Sequence, residues 1–292
     1  MNDLLNNYIT HLKNNNTSYN TIEAYRRDIL DFFSYLSMNG FDFREVDTNV
    51  YMTYCEYLYS NDKSQNTVIR NLISVRIFYK YLYSKGFIEN DSISLYHIPK
   101  RETTKLDILT IEEIKRLLDS PNTNSNKGIR DKAILELLYA TGMKVYELIN
   151  LKISDINIKY SYVRCIDLNL RERINPIGEE AIWSINKYLV VREKININKN
   201  DILFLNLRGN KMSRQGLWKI IKIYGDQCFN DKRINSYTLR NSFAFHLLEN
   251  GADAKSVQDL LGYKDIANLN KYVKVVSKKR IVDVYKNTHP RV

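Results

Sequence analysis

The C-terminal part of the chain contains the run Tyr237-Thr-Leu-Arg240-Asn241-Ser-Phe-Ala-Phe-His246-Leu-Leu-Glu-Asn-Gly251-Ala-Asp253, followed by Leu260-Leu-Gly262-Tyr263 and by Tyr272. The apolar pattern predicts one helix over 238–249 and a second over 254–261. A glycine follows closely after each predicted helix, as is common at helix C-termini. The run therefore places one arginine and three tyrosines on or beside two consecutive helices.

Length and composition indicate a soluble protein of about two domains. The 292 residues allow domains of roughly 150 residues each, and 44% apolar residues can build a sizeable core. No apolar run approaches the roughly 20 residues of a membrane span, and the N-terminus lacks the regions of a signal peptide. The cysteines form no C-x-x-C pair, which is typical of reduced thiols (Cys55, Cys165 and Cys228). We therefore expect a cytoplasmic protein with no membrane partner.

The net charge of +11 is unevenly distributed along the chain. Residues 1–100 hold 10 Lys and Arg against 11 Asp and Glu, whereas residues 101–292 hold 34 against 22. A basic region beside a neutral one is compatible with a polyanionic partner such as nucleic acid. The chain is also rich in the residues that A/T-rich coding sequence favours, including 22 tyrosines. Charge alone leaves nucleic-acid binding and compositional drift equally open.

Residues 1–97 are predicted to form a bundle of four helices. Leu4, Tyr8 and Leu12 recur at the spacing of one helix face. Asn20 and Glu23 have the spacing of a capping box and are expected to open the second helix. Two further helices follow on short connections, which is typical of a compact helical bundle.

A second domain is predicted over residues 108–292, after a polar, basic linker over 98–107. Thr110 to Glu113 has the form of a capping box that opens a helix. The strand-forming residues between Ile156 and Pro176 predict two or three short antiparallel strands. Further helices follow these strands. The expected fold class is therefore mainly α with a small antiparallel β-sheet, as a helical domain followed by an α+β domain.

Several motifs in this order resemble the tyrosine recombinases, also called the phage-integrase family. Tyr25-Arg26-Arg27-Asp28 and the segment 66–82 are similar to elements of that family's helical, SAM-like core-binding domain. The stretch Gly142-Met-Lys144-Val-Tyr-Glu147-Leu148 resembles the family box Gly-hydrophobic-Arg-x-x-Glu-Leu, and the run from Tyr237 resembles its His-x-Leu-Arg-His motif. The tail 287–291 is similar to that of Xer-type members. The resemblance implies a core-binding domain over 1–97 and a catalytic-type domain over 108–292.

The resemblance also implies a chemistry that needs no metal, ATP or other cofactor. In this family a tyrosine hydroxyl attacks a DNA phosphodiester and forms a 3′-phosphotyrosyl link, while two arginines bind the phosphate oxygens. Tyr272 matches the nucleophile and Arg240 the second arginine. Lys144 stands at the position of the first arginine, and Tyr237 and Tyr263 stand at histidine positions. These five residues form the implied catalytic set.

The family pattern is eroded at the phosphate clamp and at the proton donors. Lys144 keeps a positive charge but loses the bidentate geometry of arginine. Leu168 falls at the position of the hairpin lysine and cannot donate a proton. Losing one oriented donor typically costs about 10²–10³ in rate, and losing a general acid or base about 10²–10⁴. We therefore expect strand cleavage to be impaired or lost.

Double-stranded DNA is the expected partner, and both domains supply candidate contacts. These are the basic residues Arg26, Arg70, Arg76, Arg171, Arg173 and Lys274. Arg171 or Arg173 would reach the catalytic position in another hairpin register, although arginine is a poor proton donor. The histidines lack metal-ligand spacing, so no metal site is expected. We expect a homo-oligomer on DNA or a hetero-oligomer with an active recombinase.

Three functions are therefore considered. The first is a DNA-binding protein of the tyrosine recombinase family, related to site-specific DNA recombination, with impaired or lost cleavage. The second is an active site-specific recombinase that forms its phosphotyrosyl intermediate at Tyr272, with Lys144 supplying charge. The third, a structural role without DNA, is disfavoured by the positive charge of residues 101–292.

Overall fold

The chain divides into two compact units, residues 1–104 and 105–292, and the computed structural model describes residues 2–99 and 106–277 of them. Residues 100–105 of the predicted linker lie outside the described residues. At its two ends, Ile98 packs against the core of the first unit and Leu106 against a cluster of the second. The domain limits at 97 and 108 stay a prediction. No helix in the described part of the chain is long and apolar enough to cross a membrane.

The N-terminal unit contains four helices around an aromatic core. They are α1 (Asn2–Asn14), α2 (Tyr19–Met38), α3 (Thr48–Ser60) and α4 (Gln65–Ser84), followed by a short 3₁₀ helix at Ser92–Leu95. The predicted cap of α2 at Asn20 is wrong, since the Ser18 hydroxyl accepts the hydrogen bond from the Thr21 backbone N–H (3.2 Å). Ser18 has the extended backbone that an N-cap requires, whereas Asn20 already lies inside the first turn.

A buried polar network joins α2 to α4. The carboxylate of Asp28, which is 2% exposed, accepts hydrogen bonds from Arg70 (2.6 Å), the Ser74 hydroxyl (2.7 Å) and the Asn71 amide (3.3 Å). Burial raises the pKa of Asp28, and Ser74 and Arg70 oppose that rise without cancelling it. Arg70 therefore has a structural partner within the bundle.

The second unit is an α+β domain. Its helices are α5 (Ile111–Asp119), α6 (Asn126–Thr141), α7 (Val145–Asn150), α8 (Glu179–Ile195), α9 (Arg214–Cys228), α10 (Ser236–Glu249) and α11 (Ala254–Leu261), and residues 270–277 are helical again. The capping box predicted at the start of α5 is confirmed: Thr110 Oγ1 accepts from the Glu113 N–H (3.2 Å), and the Glu113 carboxylate accepts from the Thr110 N–H (2.9 Å). These elements and the sheet described next confirm the expected fold class.

Three short strands form one antiparallel sheet. They are β1 (Ile156–Asn157), β2 (Tyr162–Ile166) and β3 (Glu172–Pro176), in that order across the sheet. Between β2 and β3, the Asp167 carboxylate accepts from the backbone N–H groups of Asn169 (2.7 Å) and Arg171 (3.0 Å). This turn places Leu168 at the tip of the hairpin, where it is 63% exposed.

Candidate active site

Helix α10 places Arg240 at the centre of the candidate site. The helix begins at Ser236 because the Asn235 side-chain oxygen accepts hydrogen bonds from the N–H groups of Tyr237 (2.8 Å) and Thr238 (3.2 Å). Arg240, one turn further on, is only 4% exposed. Tyr237, on the first turn, is 73% exposed, so the protein encloses the arginine but not this tyrosine.

The Arg240 guanidinium joins the ends of two helices. It donates to the carbonyl oxygen of Gly142, which follows α6, and to that of Leu261, the last residue of α11 (2.7 Å for Leu261). The guanidinium carbon also lies 4.8 Å from the centre of the Tyr263 ring, in a cation–π contact. Arg240 forms no salt bridge with any described carboxylate. Since a guanidinium has five N–H donors, it can still bind an anion such as a phosphate.

Gly142 allows the helices to converge on Arg240. Its φ of 56° lies in the left-handed region, where side chains are disfavoured. A Cβ atom here would lie 2.5 Å from Cδ1 of Phe243 and 3.0 Å from Cδ2 of Leu261. The glycine of the box is therefore required both by its backbone angle and by the close approach of α10 and α11.

Tyr272 lies on the helical segment 270–277 and is enclosed by the protein. It is 0% exposed and belongs to an apolar cluster with Phe243 and Leu269. Its hydroxyl donates to Oδ1 of Asn241 at 2.7 Å. Burial raises the pKa of Tyr272, the neighbouring Tyr263 adds to the rise, and Arg240 only partly opposes it. In this structure the Tyr272 hydroxyl is therefore neutral and hydrogen-bonded to Asn241.

Tyr263 shows the opposite electrostatic behaviour. Burial alone would raise the pKa of Tyr263, but the nearby positive charges of Arg240 and Lys271 outweigh it, so the pKa is lowered. An adjacent cation favours the phenolate form. The structure thus brings together three of the five predicted catalytic residues, Arg240, Tyr263 and Tyr272.

Lys144 and Leu168 lie at the surface instead. Lys144 precedes α7 and is exposed, while its backbone N–H donates to the Glu147 carboxylate (2.7 Å). Burial would raise the pKa of Asp167 in the hairpin turn, but backbone hydrogen bonds and the charge of Lys144 outweigh it and lower the pKa. Lys144 is therefore close enough to the hairpin to act on Asp167 electrostatically. The tip of the hairpin carries the exposed side chain of Leu168.

Arg173 fastens the hairpin to the helices of the site. Its guanidinium forms a bidentate ion pair with Glu147 (2.7 and 2.8 Å), and its Nε donates to the Leu260 carbonyl (2.8 Å). The side chains of Arg173 and Glu147 are 11% and 1% exposed. This is the geometry of a structural ion pair. Arg171, on the same hairpin, is exposed and forms no ion pair with a described residue.

The other residues predicted to contact DNA differ in whether the side chain already has a partner within the protein. Arg26 and Lys274 are exposed, and neither forms an ion pair with a described residue. Arg70 pairs with the buried carboxylate of α2, and Arg76 donates to a backbone carbonyl. The basic run 278–280 and the C-terminal tail lie outside the described residues.

One basic surface was missed in the sequence. Arg214, Trp218 and Lys222 are exposed on α9 and repeat every four residues, which places them on one helix face. The Lys222 ammonium lies 5.2 Å from the centre of the Trp218 ring. Neither cation forms a salt bridge within the described part of the chain. The four-residue spacing of two cations and a tryptophan is the signal that would have revealed this face.

Comparisons with known proteins agree with the fold and identify the family. The chain matches the phage integrase family over residues 107–279 and the phage integrase N-terminal SAM-like domain over residues 5–86. It belongs to the phage integrase family, the tyrosine recombinases. Among its relatives, the tyrosine recombinase XerD of Listeria innocua is 38% identical over 297 residues, covering 100% of both chains. A putative tyrosine recombinase of Caldanaerobacter subterraneus is 39% identical over 279 residues, covering 96% of this chain and 95% of that protein.

Solved structures share the fold at lower sequence identity. The XerH site-specific recombinase bound to palindromic difH substrate aligns with a TM-score of 0.77 and 21% identity, over 92% of this chain and 80% of that chain. A lambda integrase dimer bound to a COC′ core site aligns with a TM-score of 0.71 and 15% identity, over 93% and 94%. At these identities the likeness concerns the fold alone.

Proposed function

We propose that the protein binds duplex DNA as a tyrosine recombinase whose strand cleavage is impaired or lost. The observation that carries this proposal is the division of the site. Arg240, Tyr263 and Tyr272 lie together within the second unit, whereas Lys144 and Leu168 are exposed. By the family resemblance, these two residues stand at the positions of the first arginine and the hairpin lysine. The anion-binding part is retained, and the proton donor for the leaving oxygen is replaced by an alkyl group.

Duplex DNA is supported as the ligand by the distribution of unpaired basic side chains. Exposed cations without an ion pair among the described residues occur in both units (Arg26, Arg171, Arg214, Lys222 and Lys274). Among the solved neighbours of the same fold, XerH is bound to palindromic difH substrate, and lambda integrase is bound as a dimer to a COC′ core site. We therefore also propose assembly on DNA, as a homo-oligomer or as a hetero-oligomer with an active recombinase.

The expected impairment of cleavage follows from the proton transfers that the attacking and the leaving oxygen require. The Tyr272 hydroxyl must lose its proton as it bonds to phosphorus, and the departing 5′-oxygen must gain one. The neutral, buried phenol of Tyr272 disfavours the first step. The side chain of Leu168 cannot assist the second, and loss of a general acid typically lowers the rate by about 10²–10⁴.

A nicked suicide substrate tests the proposal. The purified chain is mixed with a nicked duplex recovered by selection from a random library, and covalent protein–DNA adducts are counted beside those of Tyr272→Phe. We expect salt-sensitive binding with no adduct above the Tyr272→Phe background. An abundant adduct in the wild type that disappears in Tyr272→Phe would overturn the proposal.

The second candidate, an active recombinase, is favoured by one observation. Arg240 lowers the pKa of Tyr263, which lies in the same cluster as Tyr272, so a Tyr263 phenolate could accept the proton of Tyr272 once that hydroxyl leaves Asn241. If this candidate is correct, Tyr263→Phe reduces adduct formation and shifts its pH profile towards higher pH. The same nicked-substrate assay, repeated from pH 6 to pH 10, distinguishes the two candidates.

A further inference from the structure

We propose that Asn241 is a positioning residue that holds the Tyr272 hydroxyl inside the second unit and sets how readily Tyr272 can leave it. The role rests on the proposed function for the identity of Tyr272 as the reacting position. Asn241 directly follows Arg240 on α10 and is partly buried. Its side chain is the hydrogen-bond acceptor of the Tyr272 hydroxyl, at 2.7 Å.

The two ends of the Asn241 amide have different partners, and this fixes its orientation. Its Nδ2 lies 3.5 Å from the carbonyl oxygen of Asp107, which can only accept a hydrogen bond. The amide oxygen therefore faces Tyr272, and the tyrosine must donate its proton. Because an amide oxygen accepts a hydrogen bond without taking up the proton, the contact restrains the hydroxyl and does not activate it.

The chain segment on the other side of Asn241 is itself held in place. The Ser242 hydroxyl accepts from the backbone N–H of Leu109 at 2.9 Å, which fixes residues 106–109 against α10. Leu106 and Ile108 pack against the apolar cluster that contains Tyr272. Asn241 thus links the first described segment of the second unit to the helical segment that carries Tyr272.

An attack on DNA requires this contact to break. Tyr272 is 0% exposed, so its oxygen must exchange Asn241 for a phosphorus atom outside the cluster. A net hydrogen-bond contribution of about 0.5–1.5 kcal/mol corresponds to a roughly 2- to 12-fold change in the population of the released hydroxyl. Loss of the Asn241 acceptor is therefore expected to raise the reactivity of Tyr272 by that factor.

Nitration of the full chain by tetranitromethane, with each tyrosine followed by peptide mass mapping, tests the role of Asn241 without DNA. Rates at Tyr272 are divided by those at Tyr188, which is buried in the same unit, to remove any general loosening. Asn241→Leu removes the acceptor at similar volume and is expected to raise the relative rate at Tyr272 by roughly 2- to 12-fold. Asn241→Asp keeps an acceptor oxygen and is expected to leave Tyr272 protected.

A matched control separates the two hydrogen bonds of this region. Ser242→Ala breaks the bond to Leu109 but leaves Asn241 and Tyr272 intact, so the wild-type rate at Tyr272 is expected. Equal relative rates in the wild type and Asn241→Leu would overturn the proposal, as would equal acceleration in the Leu and Asp variants. DNA affinity and adduct formation on the nicked substrate, measured separately on the wild type, decide the proposed function, so the two failures are distinguishable.

Discussion

At the scale of single residues, the pKa values of the two tyrosines near Arg240 are shifted in opposite directions. The Arg240 guanidinium lies against the ring of Tyr263 and lowers the pKa of that phenol despite burial. At Tyr272 the effect of burial prevails and the pKa is raised. A group with a raised pKa in the folded state costs stability once the unfolded chain releases its proton. The effect of Tyr272 on the free energy of unfolding is therefore expected to be largest at alkaline pH.

We expect the stability of the wild type to fall relative to Tyr272→Phe as the pH rises above about 10, the ordinary pKa of tyrosine. Below that pH the Tyr272 hydroxyl is protonated in both states, so its contribution is constant. Above it only the unfolded chain releases the proton, which favours unfolding. Urea unfolding between pH 8 and pH 11 measures the difference, with Tyr237→Phe as a control at an exposed site. A difference that stays constant over this range would contradict the expected burial effect.

At the scale of elements, the β2–β3 hairpin separates an arginine that builds the site from one that faces outward. Arg173 on β3 forms its ion pair with Glu147 of α7 and donates to the carbonyl oxygen of Leu260 in the last turn of α11. Asn175 on the same strand donates to the carbonyls of Thr141 (2.8 Å) and Leu260 (3.0 Å). Arg171 lies in the turn and is exposed. The hairpin thus holds the ends of α6 and α11, between which Arg240 is bound.

We expect Arg173→Met to destabilise the protein by about 3–5 kcal/mol, because it leaves the buried Glu147 carboxylate without its partner. Arg171→Met, the matched change two residues earlier, is expected to alter stability by less than about 0.5 kcal/mol and to weaken DNA binding. Thermal or urea unfolding and fluorescence anisotropy with labelled DNA provide the two measurements. Similar stability losses in both variants would contradict the distinction between them.

Local sequence patterns predicted the helices and strands, but they did not predict the side-chain contacts between these elements. The Thr110 capping box and the strands between Ile156 and Pro176 depend on neighbouring residues, and the structure confirms both. The ion pair of Arg173 and the Asn241–Tyr272 hydrogen bond join residues far apart in the chain, so only packing determines them. For the same reason the motif spacing gave Tyr272 a role but did not reveal its burial.

At the scale of the whole molecule, charge and fold together point to DNA. The family fold extends over both units, and the excess of basic residues falls in residues 101–292. The exposed face of α9 adds cations that no described carboxylate neutralises. Contacts of this kind release counterions from DNA, which makes the affinity depend strongly on salt.

We expect the double variant Arg214→Gln/Lys222→Gln to bind DNA more weakly and with a smaller salt dependence. Each lost phosphate contact reduces the slope of log K against log salt by about 0.9, so two contacts reduce it by about 1.8. Lys232→Gln removes a cation that is already paired with Glu113 and serves as the control. An unchanged slope in the double variant would place the DNA elsewhere on the protein.

The most direct test of retained binding with impaired cleavage is adduct formation on the nicked substrate by the wild type and by Lys144→Arg/Leu168→Lys. The double variant restores the bidentate cation and the hairpin proton donor. We predict that the double variant forms at least about 10²-fold more covalent adduct than the wild type. The wild type and the double variant are expected to bind DNA with similar affinity. Adding Tyr272→Phe to the double variant is expected to abolish the increase in adduct. Adduct formation by the wild type as fast as by the double variant would contradict the account.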